Sequence, residues 1–275
     1  MNIGTVSLDV SPAQYARIGG LLHELSGICL GPGKEGLLKS RLSKRLRTLG
    51  LSDFDEYIRY FENDTTGSEL TLMIDALATN KTSFFREEPH FDHLRRVILP
   101  ALKPSRRPVR IWSAGCSSGE EPYSIALLLA EELPDAARRY ARILATDIST
   151  KILAAAEEAV YTEDVVRDVP PVLLQKHFTC VRTTPPRQFR VDDNLRRMVR
   201  LSRLNLMDDW PIKGPFDVIF CRNVMIYFDR PTREWLVRRF GELLPVGGHL
   251  FVGHSETLTG LSTAFRYVQP AVYVK

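Results

Sequence analysis

The 275-residue chain has no apolar run long enough to span a bilayer. Residues 1–12 show no basic stretch followed by an apolar core, so no secretory leader is expected. Cysteine is sparse: Cys29, Cys116, Cys180 and Cys221 are scattered and form no C-x-x-C pair, which reads as structural thiols in a cytoplasmic protein. The six histidines show no H-E-x-x-H or related spacing, so no metal is expected. A net charge of only +4 is too small and too diffuse to argue for nucleic-acid binding. The dinucleotide fingerprint G-x-G-x-x-G and the P-loop lysine are missing, as are internal repeats and low-complexity segments. What remains, 44% hydrophobic and 25% charged residues, is the make-up of a globular protein with one large or two modest domains.

The organisation changes along the chain. Residues 1–79 read as an all-helical domain. Ser11 opens a helix to about Ser26, Gly31-Pro32-Gly33 interrupts, and a second helix runs from about Lys34 to Leu49 with Leu38, Leu42, Leu46 and Leu49 on one face. Ser52 or Asp53 can cap a third helix through Phe61, and 67–79 makes a fourth. Residues 80–107 form a linker and connecting helix. From 108 to 275 strands (110–114, 141–146, 198–203, 216–221, 249–253, 266–274) alternate with helices (120–133, 149–159, 231–244). That alternation implies an α/β fold with a mainly parallel sheet covered on both faces. Strands at 177–181 and 189–192 flank Thr183-Thr184-Pro185-Pro186-Arg187, a β-hairpin inserted as a subdomain at about 177–200.

Five constellations could carry chemistry. Gly115 to Gly119 is a small-residue turn between a strand and a helix; backbone N–H groups could approach a ligand there, and Glu121 beside it suits a cationic ligand better than a pyrophosphate. An ordinary strand-to-helix turn is the plainer reading. Asp147, at the end of the next strand, can accept from both hydroxyls of a ribose or can cap a helix, a task for which Ser149 is already suited. The buried strand Phe216 to Cys221 runs into Arg222 and Asn223, with Tyr227 one turn on; ligands bind at such strand ends, although Arg222 could equally form a structural ion pair and Tyr227 could be core. Asn80 to Glu87 places Arg86 after the phenylalanine pair Phe84-Phe85; the pair suits interdomain packing, and the arginine could orient a carboxylate or form a surface ion pair. Lys34, Lys39, Arg41, Lys44, Arg45 and Arg47 crowd the second helix, either as solvated surface or as a docking face for an acidic partner.

Four blocks, Asn80-Lys-Thr-Ser-Phe-Phe-Arg86-Glu87, Ile111 to Ser124, Ala145-Thr-Asp147-Ile148 and Phe220 to Phe228, resemble the chemotaxis receptor methyltransferases, the CheR family, in the family's order and over nearly the whole chain. The resemblance implies a class I, Rossmann-like SAM-dependent methyltransferase domain with an inserted antiparallel β-subdomain, preceded by a small all-α domain. It implies S-adenosylmethionine as cofactor, S-adenosylhomocysteine as product, and methyl esters formed on glutamates of chemoreceptor cytoplasmic helices. A monomer with no nucleic-acid partner and no membrane insertion is expected. Carried over by motif, Asn80, Thr82, Arg86, Gly115, Glu121, Asp147, Asn205, Leu206, Arg222 and Asn223 would contact the cofactor. Glu121 would face the methionine ammonium and Asp147 the ribose, while Arg86 and Tyr227 would lie beside the transferred methyl. Lys39, Arg41, Lys44, Arg45 and Arg47 would meet the receptor. Family members that tether to a receptor C-terminal peptide have a glycine-containing hairpin turn; the prolines of 183–187 cannot supply positive φ, so the turn here must differ. An RNA methyltransferase would call for a stronger basic charge and stacking aromatics. A non-catalytic ligand sensor would have damaged motif blocks, and a nucleotide-dependent oxidoreductase would need the absent G-x-G-x-x-G.

Overall fold

The computed structural model describes residues 9–77, 81–102, 107–138 and 140–275. These fall into two compact units: one draws on Met1–Thr79 with the short segments Asn205–Met207 and Tyr227–Asp229, the other on the remainder.

The first unit contains α1 (Pro12–Ser26), α2 (Glu35–Leu49), α3 (Phe54–Glu62) and α4 (Ser68–Leu77). Ser11 and Gln14 close a reciprocal capping box at the start of α1, and Gly27, at φ 71°, ends it. Asp53 caps α3 by accepting from the Glu56 N–H at 2.8 Å. Leu38, Leu42 and Leu46 of α2 are fully buried, whereas Leu49 is half-buried. A buried charge network ties α2, α3 and α4 together: Arg45 makes a two-nitrogen contact to Glu69, to which the Tyr57 hydroxyl also donates at 2.8 Å.

Among the described residues the second unit has ten strands: β1 (Arg110–Ala114), β2 (Arg142–Asp147), β3 (Val160–Thr162), β4 (Phe178–Arg182), β5 (Gln188–Val191), β6 (Val199–Arg203), β7 (Val218–Cys221), β8 (His249–Val252), β9 (Arg266–Gln269) and β10 (Val272–Val274). Seven form one sheet in the order β6-β2-β1-β7-β8-β10-β9. The first five in that order run parallel, and β10 and β9 are antiparallel. β1 and β7 are almost wholly buried, as central parallel strands must be. Phe220 and Phe251 stack across β7 and β8 at 4.5 Å between ring centroids. Chain order reverses direction between β1 and β7, and the crevice at such a switch point is where parallel sheets bind ligands.

Three expectations need correction. The stretch 266–274 is not one strand: Pro270-Ala271, with Ala271 at φ 61°, turns it into the antiparallel pair β9 and β10. The inserted hairpin has a third strand, β3, in the order β3-β5-β4. Phe84 and Phe85 pack inside the second unit: Phe84 meets Tyr161 and Phe178 edge-on at 5.0 and 5.7 Å, and Phe85 meets Phe91 at 5.3 Å. Phe91 lies on α5 (Glu88–His93), which continues through a π-helical turn, Leu94–Ile98.

Candidate active site

The C-terminal ends of β1, β2, β7 and β8 bring the functional side chains together. The loop after β1 carries three positive φ angles, at Gly115 (81°), Ser117 (50°) and Gly119 (98°). Several of its N–H groups are engaged within the protein. Those of Gly115 and Cys116 donate to the Thr146 carbonyl at 2.8 and 2.9 Å, and that of Ser117 to Asp147 Oδ2 at 2.9 Å. The glycines supply clearance instead. A Cβ on Gly115 would lie 2.4 Å from Val224 Cγ2, and one on Gly119 would lie 2.8 Å from the Tyr161 hydroxyl.

Asp147 is fixed by two main-chain donors, Ser117 on Oδ2 and Ser149 on Oδ1 at 3.0 Å, while Ser149 itself caps the following helix.

Arg222 sits between two carboxylates. Its guanidinium is 3.0 Å from Glu87 Oε2 and 3.1 Å from Glu121 Oε2, and it donates to the Arg86 carbonyl. Ser113 donates to the other Glu121 oxygen at 2.6 Å. Two carboxylates against one guanidinium leave the cluster one negative charge in excess when all three are ionised. Burial raises the Glu121 carboxyl above its ordinary value, opposed by Arg222 and Ser113. Burial acts on Glu87 in the same sense, but Arg222 and the His254 N–H outweigh it and hold that carboxyl low. His90, fully buried beside this cluster, is driven down to about 3 by burial and then by Arg222.

Sequence reasoning missed Glu256. Its carboxylate collects the N–H groups of Asn223 at 2.9 Å, Ile226 at 3.0 Å and Gly253, and so fixes the turn after β7, where Asn223 takes φ 60°. Burial raises the Glu256 carboxyl, opposed by those N–H donors. Glu87 was also passed over. Both omissions had a signal, since Glu87 closes the Asn80 to Glu87 block and Glu256 lies in the loop four residues past the end of β8, a strand end like the one that carries Arg222.

Residues 80–274 match the model of the CheR methyltransferase SAM binding domain, and residues 13–78 that of the CheR methyltransferase all-alpha domain. The chain belongs to the CheR methyltransferase family. It is 46% identical, over 87% of its length and 91% of the other, to a "Probable chemotaxis protein methyltransferase" of Rhizobium etli. It is 40% identical to a chemotaxis protein methyltransferase of Borreliella burgdorferi, over 98% of this chain and 96% of that one. Identity to a chemotaxis protein methyltransferase of Escherichia coli is also 40%, over 98% and 93% of the two chains.

The other motif residues of this CheR-family chain divide between the units. Arg86 is half-buried in the second; its Nη1 donates to the Lys81 carbonyl at 2.8 Å, and it lines a cleft of about 760 Å³ with Glu88, Glu131, Glu132 and Asp168. Thr82 is half-buried, and Asn80 lies outside the described residues. Asn205, Leu206 and Tyr227 are grouped with the first unit. There the Asn205 amide donates to the Leu25 carbonyl at 2.8 Å, and the Tyr227 carbonyl accepts from the Cys29 N–H at 2.8 Å. On α2, Lys39 pairs with Asp9, Arg41 donates to the Leu77 carbonyl, and Arg47 donates to the Ser43 carbonyl at 3.2 Å. Lys44 and Arg47 are exposed. Arg45 must be removed from the docking face, because its guanidinium neutralises the buried Glu69.

The strand-end residues suit S-adenosylmethionine. The excess negative charge around Arg222 matches its ammonium and sulfonium, and the Gly115 position has no room for a side chain of its own.

Proposed function

We propose that this chain transfers a methyl group from S-adenosylmethionine to glutamate side chains on chemoreceptor cytoplasmic helices, giving methyl esters, and that it works in the cytoplasm as a monomer without a nucleic-acid partner. The observation that carries the reading is the Glu87–Arg222–Glu121 cluster at the parallel strand ends, in a chain with both CheR-family domains.

When bound, S-adenosylmethionine supplies an electrophilic methyl group. Glu121 and Glu87 would offset its positive charge, and Asp147 would accept from the ribose hydroxyls. The acceptor glutamate has an ordinary pKa of about 4.3, so it is ionised near neutral pH and needs no general base. The chain's task is then to align and partly dehydrate that carboxylate, and orientation of this kind is worth up to roughly 7–11 kcal/mol. Arg86 is assigned to orient the carboxylate through its planar guanidinium. Pairing by Arg86 should stay weak enough to leave the oxygen nucleophilic.

Methyl transfer from labelled cofactor to purified receptor cytoplasmic fragments is the direct test, with RNA offered in parallel. Label that is released by mild alkali and lost when the acceptor glutamates are changed to alanine is expected. Label entering RNA, or none entering any receptor, would overturn the reading.

A further inference from the structure

We propose that His23, Cys29 and Asp229 form a binding site for a zinc-class divalent cation. All three belong to the first unit. His23 lies on the last turn of α1. Gly27 reverses the chain, and Ile28 then forms an antiparallel bridge with Phe228. That bridge, with the hydrogen bond from the Cys29 N–H to the Tyr227 carbonyl, sets Cys29 alongside the segment ending at Asp229. The main chain therefore holds the three residues in place, and side-chain rotation alone adjusts the donors.

The donor atoms are close to what a tetrahedral ion needs. His23 Nε2 is 3.1 Å from Asp229 Oδ2, and the imidazole nitrogen, thiol sulfur and carboxylate oxygen all lie within 4.8 Å of one another. With metal–ligand bonds of about 2.0–2.3 Å, tetrahedral donors stand roughly 3.3–3.6 Å apart, so closure needs movements of about 1 Å. A thiolate and an imidazole favour zinc over magnesium or calcium, whose hard ions prefer all-oxygen sites. Three protein ligands leave a fourth position for water, and the partial exposure of His23 and Asp229 lets the ion enter.

Another cluster of suitable residues, Glu87, His90 and His254, is a poorer site because the Arg222 guanidinium already sits 3.0 Å from Glu87 Oε2. The His23 site escaped the sequence because its third member is 200 positions downstream of the second, beyond any local spacing rule. Occupied, it would pin the end of α1 to the segment that carries Tyr227.

The test is titration of the chelator-treated full-length protein with Co2+. A single equivalent should produce a thiolate-to-cobalt charge-transfer absorption that Zn2+ abolishes by displacement and that excess Mg2+ leaves in place. Cys29→Ser should remove the band. The exposed-site variant His23→Gln, checked for native circular dichroism, should weaken binding at least as much as the roughly 10–100-fold lost with outer-sphere partners. Cys180→Ser should behave as wild type, since Cys180 is the exposed thiol most able to bind cobalt adventitiously. No charge-transfer band, or a band that survives Cys29→Ser, would overturn the site and leave His23–Asp229 as a surface ion pair.

Discussion

Replacing Arg222 with methionine should both destabilise the protein and change how its stability responds to pH. The Arg222 side chain is 2% exposed, and its guanidinium lies 3.0 and 3.1 Å from the Glu87 and Glu121 carboxylates. Its loss leaves two carboxylates facing each other in a poorly solvated place. Breaking a buried pair in this way typically costs about 3–5 kcal/mol. For a protein of this size each kcal/mol shifts the midpoint by roughly 2–4 °C, so a fall of about 6–20 °C is expected at neutral pH. The pH dependence follows from proton uptake. In the wild type, Glu121 already lies above its ordinary value and Glu87 below it. Without Arg222 both carboxyls move up, because the charge that favoured their ionised forms is gone. A carboxyl whose folded pKa exceeds its unfolded value binds protons on folding, and its stabilising contribution is lost as pH rises through the folded value. The Glu87 contribution in the wild type runs the other way: it is present above its unfolded value and lost as pH falls through the depressed folded one. The gap between variant and wild type should therefore open below about pH 4, where Glu87 begins to ionise in the wild type, widen towards neutrality and then level off. Thermal unfolding across that range reads the effect directly. The double variant Arg222→Met/Glu121→Gln should recover part of the loss, with a coupling of about 0.5–3 kcal/mol. A deficit no larger than the roughly 0.5 kcal/mol of an ordinary surface change, or one independent of pH, would refute the electrostatic account.

Gly115→Ala puts a Cβ 2.4 Å from Val224 Cγ2 at φ 81°, and should cost about 2–5 kcal/mol, the sum of a left-handed backbone penalty and overpacking. Calorimetry with S-adenosylhomocysteine should show weakened binding that Val224→Ala partly restores; wild-type affinity in the single variant would contradict the clearance argument. On α2, reversing Lys44 and Arg47 to Glu should slow receptor methylation while leaving cofactor affinity unchanged, and an unaltered rate would make them solvated surface. Arg45→Met should instead cost stability, roughly the 3–5 kcal/mol of a broken buried pair, and so lower the melting temperature, because Glu69 is 2% exposed.

Much of the fold was legible because buried parallel strands and amphipathic helices write their period into the chain. Strand β3, only three residues long, carries too little pattern to be read. The turn between β9 and β10 was hidden because Ala271, not glycine, takes the positive φ there. The strand-end positions of Asp147, Arg222 and Asn223 were legible, since β2 ends at Asp147 and β7 at Cys221. Partnership was less visible. Whether Arg45 faces a receptor or Glu69 depends on a residue 24 positions away, and whether Arg222 binds a ligand or an internal acid depends on Glu121, 101 positions away. A charge pattern shows which side chains can pair, and only the fold decides with what.

The single carboxylate of Glu256 has a consequence for modularity. It holds main-chain groups from the segment after β7 and from the segment after β8 at once, and Gly253 leaves the room this needs, since a Cβ there would lie 2.4 Å from the Asn223 side-chain nitrogen. The two segments are thus one inheritable part. A chimera that imports residues 222–227 from another methyltransferase without 253–256 would receive a turn with nothing to fasten it.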